Sequence, residues 1–386
     1  MSASNAKTRK SNRALRAAVL ALSLALVTAA GLLHQFGGVK PVGVDALCPF
    51  GGLESAYALL AGGSLLAKIA WSSFFVLAAV LAAALVLRRS FCGGLCPLGA
   101  LQDGFGFLGK KILGKRLELP KRLDGTARYL KYLVLALVLV LTFALGELVI
   151  RPYDPWAAYQ HLFSAELLTG FLVGLLVLVV SLAGSFFYER FFCKYLCPMG
   201  AALTPFSKLG LFKIKRDAAA CVDCGLCDKA CPANIKVSAL ETVTSAECLD
   251  CDACVNACPV KNTLVIEGPR GRRIGPKGRV AILVAVFALV IGGATVAGGF
   301  TWTVKSIEQE VEAAGGIAFF DASAIKGSDT WAGVAEATGI PKEAFAERFK
   351  LDPARLGEQL KVAAHAPGSG FEVEAVREFV REKLGK

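Results

Sequence analysis

Histidine is scarce in this chain: His34, His161 and His365 are the whole supply. Three scattered residues do not make the two facing pairs that membrane-embedded haems need, and there is no C-x2-C-H attachment motif. No G-x-G-x2-G follows a convincing strand, so the fingerprint of a flavin or nicotinamide site is absent too. Charge is also sparse. Charged residues make up 19% of the chain against 55% hydrophobic ones. The net charge of +12 is divided between apolar stretches and is not gathered in one soluble patch, which argues against a nucleic-acid partner. The composition is that of a membrane protein.

Against these shortages stand thirteen cysteines, concentrated in runs and not spread as disulfide staples. The first run reads Cys221-x2-Cys224-x2-Cys227-x3-Cys231-Pro232, and the second reads Cys248-x2-Cys251-x2-Cys254-x3-Cys258-Pro259. This is the bacterial ferredoxin spacing, in which three close cysteines hold one 4Fe-4S cluster and the fourth crosses to the other. One cluster is therefore expected on Cys221, Cys224, Cys227 and Cys258, and the other on Cys248, Cys251, Cys254 and Cys231. Tetrahedral zinc is the plainer use of paired C-x2-C spacings, but the duplicated four-cysteine frame with its prolines favours clusters.

Five apolar runs are long enough to cross a ~30 Å hydrocarbon core: Ala17 to Leu33, Ile69 to Leu87, Tyr132 to Ile150, Leu167 to Phe187 and Val280 to Val304. Val27-Thr28-Ala29 is a passable signal-peptide cleavage site, but the apolar run continues beyond it, so the first run is read as a span. Lysine and arginine crowd residues 88 to 128, whereas 34 to 67 hold only Lys40 and 151 to 166 only Arg151. By the positive-inside rule the N-terminus, the 88 to 128 loop and the 188 to 279 loop face the reducing cytoplasm of a prokaryotic inner membrane, and residues 305 to 386 lie on the outer side.

The expected fold is a membrane all-α bundle of five transmembrane helices, with an inserted cytoplasmic α+β double-cluster ferredoxin domain and a small C-terminal helical domain. Its divisions fall at residues 1–210, 211–268, 269–304 and 305–386. Within the last, Thr330 to Phe349 has a helix-turn-helix cadence, read as a packing or interaction unit because it lacks a basic face.

Two membrane-proximal stretches repeat one another. Arg89-Ser-Phe-Cys92-x3-Cys96-Pro97-Leu-Gly99 matches Arg190-Phe-Phe-Cys193-x3-Cys197-Pro198-Met-Gly200, each at the cytoplasmic end of a helical hairpin. The four thiols can hold a third Fe-S cluster, form a redox dithiol, bind a metal transiently, or simply pack as small buried residues. Recurrence in one frame beside a cluster domain favours a redox role. Cys48, in a half-copy of the motif on the opposite side, is read as structural.

With both motif types in view, residues 15 to 270 resemble the polyferredoxin-like 4Fe-4S membrane proteins, typified by the nitrate-reductase-associated quinol dehydrogenase membrane subunit and the membrane part of the nitrous-oxide-reductase regulator. The resemblance implies an integral membrane electron carrier between the quinone pool and a partner redox protein. The fifth span and the C-terminal segment are extra to the family's four-helix pattern. Quinol chemistry also needs proton acceptors near one membrane surface, and Glu54, Tyr57, Glu147, Arg151, Asp154, His161 and Glu166 sit near outer span ends. Glu54 and His161 are the first choices for a quinone site. A different role, electron supply for maturation or regulation of a metalloenzyme, uses the same cofactors.

Overall fold

The structure, a computed structural model, describes residues 3–36, 47–62, 71–115, 117–145, 148–164, 166–302, 306–325, 327, 329–352, 356–357, 360 and 373–385. It divides into two compact units, residues 1–302 and 303–386.

The first unit contains helices α1 (Ala3–Phe36), α2 (Pro49–Gly62), α3 (Ser72–Leu87), α4 (Pro97–Leu113), α5 (Leu130–Leu145) and α6 (Leu172–Phe187); α1, α3, α5 and α6 come from the apolar runs, and α2 and α4 lie between them. Among the described residues three helical stretches are long and apolar enough to cross a membrane: Lys7–Gln35 (29 residues), Arg122–Leu145 (24 residues) and, further along, Pro276–Val296 (21 residues). Helices α3 and α6 are as apolar but have 16 residues each, which at 1.5 Å per residue is about 24 Å.

The expected boundaries shift for physical reasons. The chain breaks at Phe171, whose backbone leaves the helical region, so the fourth run starts at Leu172 and not at Leu167. The last run starts earlier than Val280, because Pro276 is suited to a first helical turn. It stops at Val296, where Gly298 takes the left-handed conformation (φ 73°) and the amides of Gly299 and Phe300 both fold back onto the carbonyl of Ala294. Residues 69 and 70, at the start of the second run, lie outside those described. Helix α2 was not anticipated; Pro49 at its first position starts it.

Between α6 and the last long helix the chain forms a small antiparallel sheet, β1 (Lys213–Arg216), β2 (Leu264–Glu267) and β3 (Arg273–Ile274), in the order β1-β2-β3. Two five-residue helices, α7 (Leu226–Ala230) and α8 (Ala253–Ala257), carry the third cysteine of each run. Ile214 pairs with Ile266 across β1 and β2, and both turn inward. They join one apolar core with Val237, Val243 and four buried cysteines, and that core continues into Ala83 and Leu87 of α3 and Leu283 of α9 (Pro276–Val296). The ferredoxin-like segment is thus fused to the membrane helices without a solvent gap at this point.

The second unit contains α10 (Ile307–Ala313), α11 (Trp331–Thr338), α12 (Lys342–Phe349) and α13 (Val373–Lys383). Ser306 and Gln309 form a capping box, and Thr330 caps α11. Trp331, Phe345, Phe349 and Phe379 meet at edge or tilted angles in its core.

Candidate metal centres

The eight cysteines of the paired runs lie around two pockets. One is lined by Cys231, Cys248, Cys251 and Cys254. The other is lined by Cys221, Cys224, Cys227 and Cys258. Matching backbone turns aim the cysteines inward: Asp223 and Asp250, at equivalent places in the two runs, have φ of 47° and 52°. One step past the second cysteine, Gly225 and Asp252 have φ of 66° and 58°. Holding an aspartate there costs roughly 1 kcal/mol in backbone strain, so a specific loop shape is being enforced.

The two runs differ in surroundings. Cys224 is exposed with Val222 and Leu226 beside it, while Cys248, Cys251 and Cys254 are buried. The second run lies directly on the first C-x3-C-P stretch: a Cβ placed on Gly93 would come within 2.2 Å of the Leu249 carbonyl oxygen and 3.1 Å of the Cys251 Cα. Only glycine allows that approach.

Basic side chains from the membrane helices converge on the same loop. Arg279 of α9 pairs with Asp252 (2.7 Å) and Asp250 (3.3 Å), and Lys131 of α5 pairs with Glu247 (2.5 Å). Arg88 is fully buried and donates to the carbonyls of Ser207, Val243 and Ser245. Among the described residues it has no carboxylate partner, and it acts electrostatically on Cys248. An uncompensated buried cation is costly by several kcal/mol, and a thiolate-bound cluster carries the negative charge that would offset it. The donor set therefore fits an anionic cluster. Burial pushes the Cys248 thiol up to about 12, so loading would release a proton there.

The C-x3-C-P repeats also converge. Cys92 and Cys96 lie within electrostatic reach of Cys193 and Cys197, and the cysteines within each repeat lie within reach of each other. The repeats exchange arginines: Arg190 donates to the Cys92 carbonyl (2.7 Å), and Arg89 donates to the Gly200 carbonyl. Gly99 leaves room for Arg190, since a Cβ there would meet its guanidinium. Helix α1 braces the assembly through Arg16, on the Gly93 carbonyl and Asp103, and through Arg13, on the Asn256 carbonyl.

Near the other ends of the helices, Glu54 and His161 are in different settings. Glu54, on α2, is fully buried and accepts hydrogen bonds from Thr142 Oγ1 (2.8 Å) and the Ile150 amide (3.3 Å) through Oε1, while Oε2 has no partner among the described residues. His161 stacks on Phe171 at 4.3 Å and lines a pocket with His34, Gln35 and Gln160 that does not include Glu54. Tyr57 packs edge-on to Phe143, Arg151 lies over Phe171, and Asp154 caps the short helix Pro155–Gln160 within 3.9 Å of Cys48. Glu147 and the side chain of Glu166 lie outside the described residues. Sequence reasoning missed Arg88, Lys131, Arg279 and Gln102; only the place of Lys131, a charge at the head of an apolar run, offered a signal that could have found it.

Known protein families match the same stretches of the chain. A 4Fe-4S binding domain family matches residues 69–116 and 171–217, which contain the two C-x3-C-P stretches, and a 4Fe-4S dicluster domain family matches 213–259. A putative electron transport protein, YccM of Escherichia coli, is 35% identical over 232 residues, covering 58% of this chain and 64% of that protein. An uncharacterised protein of Methanocaldococcus jannaschii is 34% identical over 195 residues, 50% of this chain and 75% of its own. The regulatory protein NosR of Pseudomonas aeruginosa is 33% identical over 170 residues, 41% of this chain and 22% of its own. No solved structure matches. On the convergent cysteines, the apolar helices and these relatives together, the chain belongs to the polyferredoxin-like family of 4Fe-4S electron-transport membrane proteins.

Proposed function

We propose that the protein is an integral membrane carrier that passes electrons between the quinone pool and a partner redox enzyme, with its ferredoxin-like segment on the cytoplasmic side of a prokaryotic inner membrane. The observation that carries this reading is the division of eight cysteines between a pocket with exposed Cys224 and one whose four cysteines are all buried, the second run resting on the membrane-proximal repeat at Gly93.

In this reading Cys221, Cys224, Cys227 and Cys258 hold one 4Fe-4S cluster, and Cys231, Cys248, Cys251 and Cys254 hold the other. Bound clusters supply one-electron storage and transfer. The chain's own residues do the rest. Arg88, with Arg279 on the flanking aspartates, stabilises negative charge at the buried site, and exposed Cys224 marks where a soluble partner gains access. Cys92, Cys96, Cys193 and Cys197 form a third redox centre toward the membrane, a reading supported by the 4Fe-4S binding family that spans both repeats. Glu54 takes one of the two protons released when a quinol is oxidised to quinone; its buried Oε2, unpartnered among the described residues, is the support for that role.

The test is reduction of the anaerobically purified protein by a quinol analogue, followed by electron paramagnetic resonance with iron counting. Two cluster signals that reduce with quinol and reoxidise on adding a redox partner are expected. Signals that quinol leaves oxidised would exclude the quinol role, and about eight irons per chain would restrict the four-thiol centre to a dithiol or another metal. Similarity to a regulatory protein favours one second reading, electron supply for maturation of a metalloenzyme. A deletion strain with intact respiratory flux but an immature target enzyme would select it.

A further inference from the structure

We propose that Gln102 is a positioning residue for the four-thiol centre, its amide fixing Cys193 and setting how readily the centre accepts an electron. The inference rests on the reading above that the four thiols form a redox centre.

Gln102 is fully buried on α4, six residues after Cys96. Its Oε1 accepts from the Cys193 backbone amide (3.4 Å) and from Ser185 Oγ (3.3 Å). Its Nε2 donates to the Leu98 carbonyl (3.3 Å) and to Cys193 Sγ (3.2 Å). A backbone N–H can only donate and a carbonyl can only accept, so the amide cannot be turned round: oxygen faces the Cys193 amide, and nitrogen faces the sulfur. One side chain from the first repeat thus grips both the backbone and the thiol of a cysteine in the second.

The repeat exposes what is unusual about this contact. Six residues after Cys197, the position matching Gln102 is Leu203, equally buried but unable to donate. Among the described residues no side chain donates to the sulfur of Cys92, the counterpart of Cys193, and Cys197 receives the Gly200 backbone amide at 3.4 Å. The two halves of the centre are therefore unequal by one side-chain donor. A donor aimed at a thiolate sulfur stabilises the extra negative charge of the reduced state, so it raises the reduction potential. On α6 the buried Ser185 bonds to the amide, and apart from the Cys193 thiol no titratable group among the described residues does.

The experiment is a redox titration of the full-length protein carrying Gln102→Met, which keeps the volume and removes the donor, beside Ser185→Ala, which leaves the amide-to-sulfur contact in place. In Gln102→Met the centre's oxidised-to-reduced ratio at a fixed potential should rise about tenfold, a shift of about 59 mV for a one-electron couple. The two ferredoxin-type signals should stay put, and Ser185→Ala should shift the centre less. An unmoved potential in Gln102→Met overturns the inference, as does loss of the centre in both Gln102→Met and Gln102→Leu with the other clusters intact. If the unaltered protein has no third redox signal, the four-thiol reading itself fails and takes this one with it.

Discussion

Replacing Glu54 with glutamine tests the proposed proton acceptor through a quantity that the structure provides. Burial pushes the Glu54 carboxyl from 4.5 up to about 7, with nearby Asp154 adding to the rise; the hydrogen bonds from Thr142 and Ile150 oppose it without cancelling it. At 1.36 kcal/mol per unit this is about 3 kcal/mol. The folded protein holds this proton more tightly than the unfolded chain does, so the contribution is fully present below pH 4.5, falls as pH rises toward about 7, and is gone above it. The variant lacks a titrating group here. Melting in detergent between pH 5 and pH 8 should therefore show the unaltered protein losing most of that ~3 kcal/mol relative to Glu54→Gln. Quinol-driven reduction should rise with pH through about 7 in the unaltered protein, as the carboxylate becomes able to accept a proton, and should be slow and flat in the variant. Identical pH dependence of melting in both proteins would refute the buried-carboxyl argument, and an unchanged reduction rate would refute the catalytic one.

Cys231→Ser should abolish the signal of the cluster assigned to Cys248, Cys251 and Cys254, whose pocket Cys231 shares, and leave the other signal in paramagnetic resonance spectra. Loss confined to the other cluster would reverse the crossed assignment. Gly93→Ala drives a Cβ against the backbone of Leu249 and Cys251 and should lower stability by about 1–3 kcal/mol, with damage first to the buried cluster; an unchanged melting temperature and spectrum would deny that contact.

The ferredoxin runs announced their cofactor class because four-cysteine spacing is local, and the apolar helices showed themselves because a bilayer-spanning run has a composition of its own. Helix ends were less legible. Phe171 and Gly298 stop helices inside apolar text, where hydropathy gives no sign of the backbone turning. Helix α2 was hidden because a short helix beside a larger bundle needs no long hydrophobic run. Gln102 could not be found from the sequence at all: its partners, Ser185 and Cys193, are more than eighty residues away, and only the folded repeat brings them together.

The exchanged arginines have a consequence for how the protein is made. Arg89 waits for the carbonyl of Gly200, and Arg190 reaches back to that of Cys92, so neither hairpin can complete its own corner. During synthesis the first pair of thiols must remain without its counterpart until more than a hundred further residues have emerged, and the loop that receives Arg88 comes later still. Loading of the proposed four-thiol centre would thereby be tied to completion of the second hairpin, and a chain cut short between the repeats would present Cys92 and Cys96 without their counterparts.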